Sequence, residues 1–145
     1  MYQITKRYSN LKAAHRQWRH GGHCAGIHGE NWTIDIVLSA AELDSQNFVI
    51  DFGNLREVRD FLEDHFDHTL LLDKDDPCLP DLLALREKCP TLAKIVPMDS
   101  ASAEGIAKFV HTWVQAFIFK KTNGRVKLSA VIVFEDAKNS ATYSL

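Results

Sequence analysis

The sequence predicts an α+β fold, an antiparallel sheet of four strands with two long helices on one face. Three observations predict it. Residues 32–38 alternate apolar and polar side chains with the period of two that a half-buried strand requires, and residues 126–135 do the same. Leu55, Val58, Leu62 and Phe66 recur at helical spacing, which makes 54–66 an amphipathic helix. Ile106, Phe109, Val110, Trp113 and Phe117 form the apolar stripe of a second, longer one. Strands that pair with strands, and helices gathered on one face, fit α+β better than alternating βαβ units.

Element by element, residues 2–8 alternate well enough for a first strand, which Ser9-Asn10 interrupts. Residues 16–26 read as a loop broken by Gly21, Gly22 and Gly26. The next strand sets Trp32, Ile34, Ile36 and Leu38 against Thr33, Asp35, Val37 and Ser39. A polar turn at 44–47 leads to a short strand, 48–52, that pairs as a hairpin. The first long helix stops at Asp67-His68-Thr69, and a charged, proline-punctuated loop covers 73–80. Residues 81–88 form a short helix closed by Cys89-Pro90, because proline disfavours helix in the residue before it. Residues 92–96 are a brief strand, and Ser102 is the N-cap of the second long helix. Asn123-Gly124 signals a hairpin turn. The strand after it places Val126, Leu128, Ala130, Ile132 and Phe134 on one face, and Tyr143 lies near a final edge.

The 145 residues fit one domain with room for a real core. A 46% hydrophobic and 25% charged composition is globular. A formal net charge of −2, with no basic block, argues against a nucleic-acid partner. No signal-peptide pattern opens the chain and no apolar run is long enough to span a membrane, so no membrane partner is expected. Three cysteines at irregular spacing do not form a disulfide framework. A cytoplasmic protein with reduced thiols is the expectation.

The chemistry concentrates in residues 13–32, A-A-H-R-Q-W-R-H-G-G-H-C-A-G-I-H-G-E-N-W, with four His, one Cys and one Glu in twenty residues. Imidazole, thiolate and carboxylate are the side chains that bind zinc or move protons near neutral pH. His28 and Glu30 are two apart, which on a strand puts them on one face. Taken alone, two histidines thirteen residues apart are as readily surface or capping imidazoles, and Asp67-His68 is as readily a polar helix end favoured by the helix dipole. Glu104 and Ser102 at a helix start suit dipole compensation and capping. His20, His65 and His111 read as surface or core residues without a chemical role.

The ordered motifs resemble the 6-pyruvoyltetrahydropterin synthase and 6-carboxytetrahydropterin synthase family. They are A-A-H-R at 13–16, C-A-G-I-H-G-E at 24–30, V-I-D-F at 49–52, F-D-H-T-L at 66–70, S-A-E-G-I-A at 102–107 and V-F-E at 133–135. The likeness spans nearly the whole chain, with residues 74–99 an expected insertion. It implies the tunnelling fold, assembled into a barrel-forming homo-oligomer, with a hexamer favoured and active sites between subunits. It implies zinc held by His15, His28 and a third ligand, which is Glu30 where the family has histidine, or His23 in its place. Cys24 is then the general base. A thiol needs a neighbouring positive charge or metal to work as thiolate, and zinc and His23 are the expected sources. Asp67 and His68 are a second proton-handling pair, the carboxylate orienting the imidazole. Glu135 is the pterin anchor, since a carboxylate accepts two parallel hydrogen bonds from an amidine-like edge. Glu104 and Ser102 are further substrate contacts, and Arg16, with Lys12 and Arg19, the groups for a triphosphate. The three-residue gap between Cys24 and His28 resembles the carboxy-forming, queuosine-pathway branch. The reaction this implies converts 7,8-dihydroneopterin triphosphate to 6-carboxy-5,6,7,8-tetrahydropterin. The pyruvoyl-forming reaction, a related lyase on another substrate and a non-catalytic pterin-binding homologue stand as alternatives.

Overall fold

A computed structural model describes residues 1–145. In chain order the elements are β1 (Tyr2–His15), β2 (His28–Ala40), α1 (Arg56–Phe66), β3 (Thr69–Asp73), α2 (Leu79–Lys88), β4 (Lys94–Met98), α3 (Ala103–Thr122), β5 (Lys127–Phe134) and β6 (Ser140–Tyr143). Short 3-10 turns occupy His23–Ala25 and Phe52–Leu55. The fold is α+β, but the sheet is six-stranded and mixed, in the order β4-β3-β1-β2-β5-β6, which corrects the expected antiparallel four-stranded sheet. The β1–β2, β2–β5 and β5–β6 pairs are antiparallel, whereas β3 runs parallel to both β1 and β4.

β4 and β6 overlap the expected strand at 92–96 and the expected final edge near Tyr143, but β3 escaped the pattern for a physical reason. All five residues of β3 are buried, so Thr69-Leu70-Leu71-Leu72-Asp73 shows no alternation. Leu71 faces the main core, while Leu70 and Leu72 pack with Leu79 and Ile95 under α2 on the opposite face of the sheet. Residues 74–99 thus supply α2 and β4, a βαβ unit at the sheet edge. The expected strand at 48–52 does not form either. Asp44 accepts the Gln46 and Phe48 backbone N–H groups at 2.9 Å, and the Arg125 guanidinium donates to the Glu42 and Val49 carbonyls, so these groups are satisfied without a ladder. Asn123-Gly124 ends α3 instead of turning a hairpin, with φ of 50° and 79° and the Gly124 N–H donating to the Phe119 carbonyl. A hairpin turn and a left-handed helix stop ask for the same positive φ.

Two bulges set which side chains face the core. On β1, Tyr8 pairs with Ile34 but Leu11 pairs with Trp32, so Ser9 and Asn10 oppose one residue, with Asn10 at φ 60°. The strand continues to His15, well past the expected break at Ser9-Asn10. Its inward phase shifts, and Leu11, Ala13 and His15 are buried after Tyr8. On β5, Leu128 pairs with Leu38 but Ala130 with Val37. The inward residues past that bulge are Val131 and Val133, and not the Ala130, Ile132 and Phe134 that simple alternation selects. Each one-residue insertion turns the strand's end to the opposite face.

Both long helices pack on the inward face. Val58, Leu62 and Phe66 of α1 and Ile106, Val110, Val114 and Ile118 of α3 are fully buried against Trp32, Ile34, Ile36 and Leu38. Each such side chain contributes roughly 1.5–3 kcal/mol. Phe109, Trp113 and Phe117, expected in the stripe, lie at its margin, where Trp113 stacks on Phe61 with centroids 4.1 Å apart. No helix is long and apolar enough to cross a membrane.

His111 takes a core position of α3 with its ring edge-on to Tyr143 and its Nε2 without a hydrogen-bond partner. Burial pushes its pKa below the ordinary histidine value. The folded state therefore resists protonation. Stability is full above the unfolded value of about 6.5 and falls as the pH drops below it toward the folded value. The midpoint of thermal unfolding is expected to fall between about pH 7.5 and pH 5.5 in wild type and to fall less in His111→Gln. Equal losses would clear His111 of this role.

Candidate active site

The bulges bring four ligand-bearing side chains to one point. His15 is the last residue of β1 and pairs directly with His28, the first of β2, while Glu30 lies one inward step further along β2. Glu135 follows β5 in the phase of Val131 and Val133. The ligand atoms of His15, His28, Glu30 and Glu135 all lie within 4.8 Å of one another. His28 Nε2 is 3.4 Å from Glu30 Oε1, His15 Nε2 is 3.5 Å from Glu135 Oε1, and His15 Nε2 is 4.0 Å from Glu30 Oε1. His23, the alternative third ligand, is not among them.

Second contacts fix both imidazoles. His15 Nδ1 donates to the Ala101 carbonyl and His28 Nδ1 to the Gly26 carbonyl, each at 2.7 Å. Those bonds leave Nε2 as the lone-pair nitrogen on each ring, aimed at the carboxylates. His15 is 98% buried and its Nε2 has no hydrogen-bond partner. Burial pushes the Glu30 carboxyl above its ordinary value, and the charge of Glu135 adds to the shift. Such a set fits a divalent cation. Ligands about 2.0–2.1 Å from tetrahedral zinc stand about 3.3–3.4 Å apart, close to two of the three separations.

A cavity of about 500 Å³ opens beside this cluster. Its lining includes His15, Cys24, Ser102, Glu104 and Glu135, together with Gln17 and His20. Cys24 is half-buried in the turn His23–Ala25. Ser102 caps α3 by accepting the Gly105 N–H at 3.1 Å, and Glu104 sits in the first turn. Arg16 lies outside the lining, its Nε donating at 2.8 Å to the buried Asp76. Arg19 is paired with Asp75 and lies 3.6 Å from Asp73. Asp67 and His68 are also outside the cavity lining.

The sequence does not single out Ala101, since the orienting group is its backbone carbonyl. The Ala101 N–H donates to the buried Asp73 at 2.7 Å, its carbonyl holds His15, and Gln17 Nε2 donates to the same carbonyl at 3.1 Å. Gly105 is the one legible trace. A Cβ there would come within 2.1 Å of the Ser100 carbonyl oxygen. Gly105→Ala is expected to cost about 1–3 kcal/mol by overpacking and to weaken divalent-cation binding at the cluster as the Ala101 carbonyl moves off His15. Denaturant unfolding and zinc titration check both, and an unchanged affinity would show that His15 does not depend on this loop.

Fold and site together define a class, an α+β domain carrying a histidine–carboxylate centre beside a thiol-bearing cavity. The family model described as 6-pyruvoyl tetrahydropterin synthase matches residues 3–145, and the chain belongs to this family. It is 25% identical to the 6-carboxy-5,6,7,8-tetrahydropterin synthase of Aquifex aeolicus, with 98% of this chain and 97% of that protein covered. It is 30% identical to the Bacillus subtilis protein of the same name over 75% of this chain and 63% of that one. Among solved structures, an uncharacterized protein from Wolinella succinogenes superposes with a TM-score of 0.84 at 22% identity, covering 99% and 97% of the two chains. The 6-pyruvoyl tetrahydropterin synthase of Plasmodium vivax gives 0.66 at 16% identity, covering 99% and 98%.

Proposed function

We propose that the protein is a zinc-dependent lyase of the cytoplasm that converts 7,8-dihydroneopterin triphosphate and one water to 6-carboxy-5,6,7,8-tetrahydropterin, acetaldehyde and triphosphate, a step of the queuosine branch. The observation that carries the reading is the single cavity that joins Cys24, Glu104 and Glu135 to the His15–His28–Glu30 cluster. The names of the curated relatives support the carboxy-forming product.

His15, His28 and Glu30 hold the zinc, which supplies Lewis acidity toward the side-chain oxygens. Glu135 and Glu104 accept the N–H edge of the pterin ring, and Ser102 frames it. Cys24 takes the side-chain proton. Arg16, steadied at Nε by Asp76, faces the triphosphate. His68, oriented by Asp67, returns a proton from a neighbouring protomer.

A homo-oligomer, with a hexamer favoured, suits the sheet's edges. β3 meets β1 only at Ala13, Ala14 and His15, so the outer edge of β1 before them pairs with no strand. An open edge is a template for another strand.

Incubation of reduced, zinc-supplemented protein with 7,8-dihydroneopterin triphosphate, read by mass spectrometry, tests the reaction. A 6-carboxytetrahydropterin peak with acetaldehyde is expected. A 6-pyruvoyl product would move the chain to the other branch, and no turnover by folded protein would sink the assignment.

A further inference from the structure

The proposed function gives Glu135 one task, to anchor the ring. Its geometry gives it another. We propose that Glu135 is a protein ligand of the metal centre in the substrate-free protein, so that two imidazoles and two carboxylates form the resting centre. The inference rests on reading His15, His28 and Glu30 as a metal site.

Position is the first argument. Glu135 Oε1 stands 3.5 Å from His15 Nε2, nearer than Glu30 Oε1 does at 4.0 Å. Among the measured pairs, Glu135 therefore has at least as good a place at His15 as the glutamate the motif supplies.

The second argument is the state of His15. Its Nδ1 donates to the Ala101 carbonyl, and its buried Nε2 is aimed at a carboxylate oxygen without a hydrogen bond to any group. A buried ring nitrogen left without a partner beside a carboxylate oxygen is costly, and a cation held between the two would satisfy both.

Glu135 is also held there by its own backbone. Its N–H donates to the Asn139 carbonyl at 3.1 Å, and Asp136 closes the β5–β6 turn by accepting the Lys138 and Asn139 N–H groups at 2.7 Å. The turn fixes the backbone from which the carboxylate projects without any substrate. Two carboxylates balance the charge of a divalent cation, and they make the donor set harder than imidazoles alone would.

Metal loading and ring binding then draw on one carboxylate. Glu104, on another part of the cavity wall and outside the cluster, remains available to the ring whether or not metal is bound.

Zinc affinity measured by competition with a chromogenic chelator tests this on wild type, Glu135→Gln, Glu104→Gln and His15→Ala, each checked for fold by circular dichroism. Glu135→Gln is expected to bind zinc at least about tenfold more weakly, and Glu104→Gln to stay within about twofold of wild type. The visible spectrum of the cobalt-loaded protein should change in Glu135→Gln and not in Glu104→Gln. If His15→Ala loses zinc but Glu135→Gln does not, Glu135 is no ligand and the metal site stands. If neither loses zinc, the metal reading itself fails, and this inference with it.

Discussion

Cys24→Ala is expected to lower kcat by about 10²–10⁴-fold, the usual loss when a positioned acid or base is removed, with zinc content and fold unchanged. Cys24 is half-buried and lines the cavity with Glu104 and Glu135. Its turn is braced on both sides. The Gln17 N–H donates to the Cys24 carbonyl at 2.8 Å, and the Ala25 and Gly26 N–H groups donate to the Gly22 and His23 carbonyls. The thiol is thereby held at the cavity wall by backbone contacts that the substitution does not touch. Cys78 and Cys89 are exposed at the two ends of α2 and serve as controls. Their alanine variants should keep wild-type kcat. The loss should fall on kcat with KM little changed, because a base acts in the transition state and binds little in the ground state. A Cys24→Ala enzyme within about fivefold of wild-type kcat would end the general-base reading.

The same residues show what a sequence can and cannot disclose. Helix α1, the Ser102 cap of α3 and the inward face of β2 follow from local periodicity and capping, and the structure has them as read. His28 and Glu30 share a face because β2 runs unbroken through both. His15 and Glu135 reach that face only through bulges at Ser9-Asn10 and near Ser129. Strict alternation carried across those points puts Asn10 and Lys12, or Ile132 and Phe134, where the structure has Leu11 and Ala13, or Val131 and Val133. A bulge is a choice of pairing, made by the partner strand, and it leaves little mark on its own segment. The burial of β3 on both faces is likewise a property of what covers it. Motif resemblance singles out His15 and Glu135, which the structure brings to one cluster, where periodicity alone misplaces them, since it reads identity and spacing and needs no register.

Asp67 and His68 bear on whether one chain or two build the proposed site. Asp67 Oδ1 accepts the Lys12 N–H at 3.1 Å, its other oxygen lies 3.2 Å from His68 Nδ1, and the His68 N–H donates to the Lys12 carbonyl. The bond from Lys12 holds the Asp67 carboxyl below its ordinary value, so it stays charged and orients the imidazole at neutral pH. The pair is built and set, yet the His68 side chain is 80% exposed, at φ 58°, and neither residue lines the Cys24 cavity. On the proposed homo-oligomer reading, this solvent-facing imidazole serves the cavity of a neighbouring protomer. Cys24→Ala and His68→Ala should therefore each be inactive alone but active when co-expressed or refolded together. With random mixing, a shared site keeps both an intact Cys24 and an intact His68 in about a quarter of cases, so about a quarter of wild-type activity should return. If both residues serve the same protomer, no site in the mixture is intact and activity stays at background. His68→Ala should fold normally, because the side chain it removes is exposed, and a thermal melt that matches wild type will confirm that its inactivity is chemical.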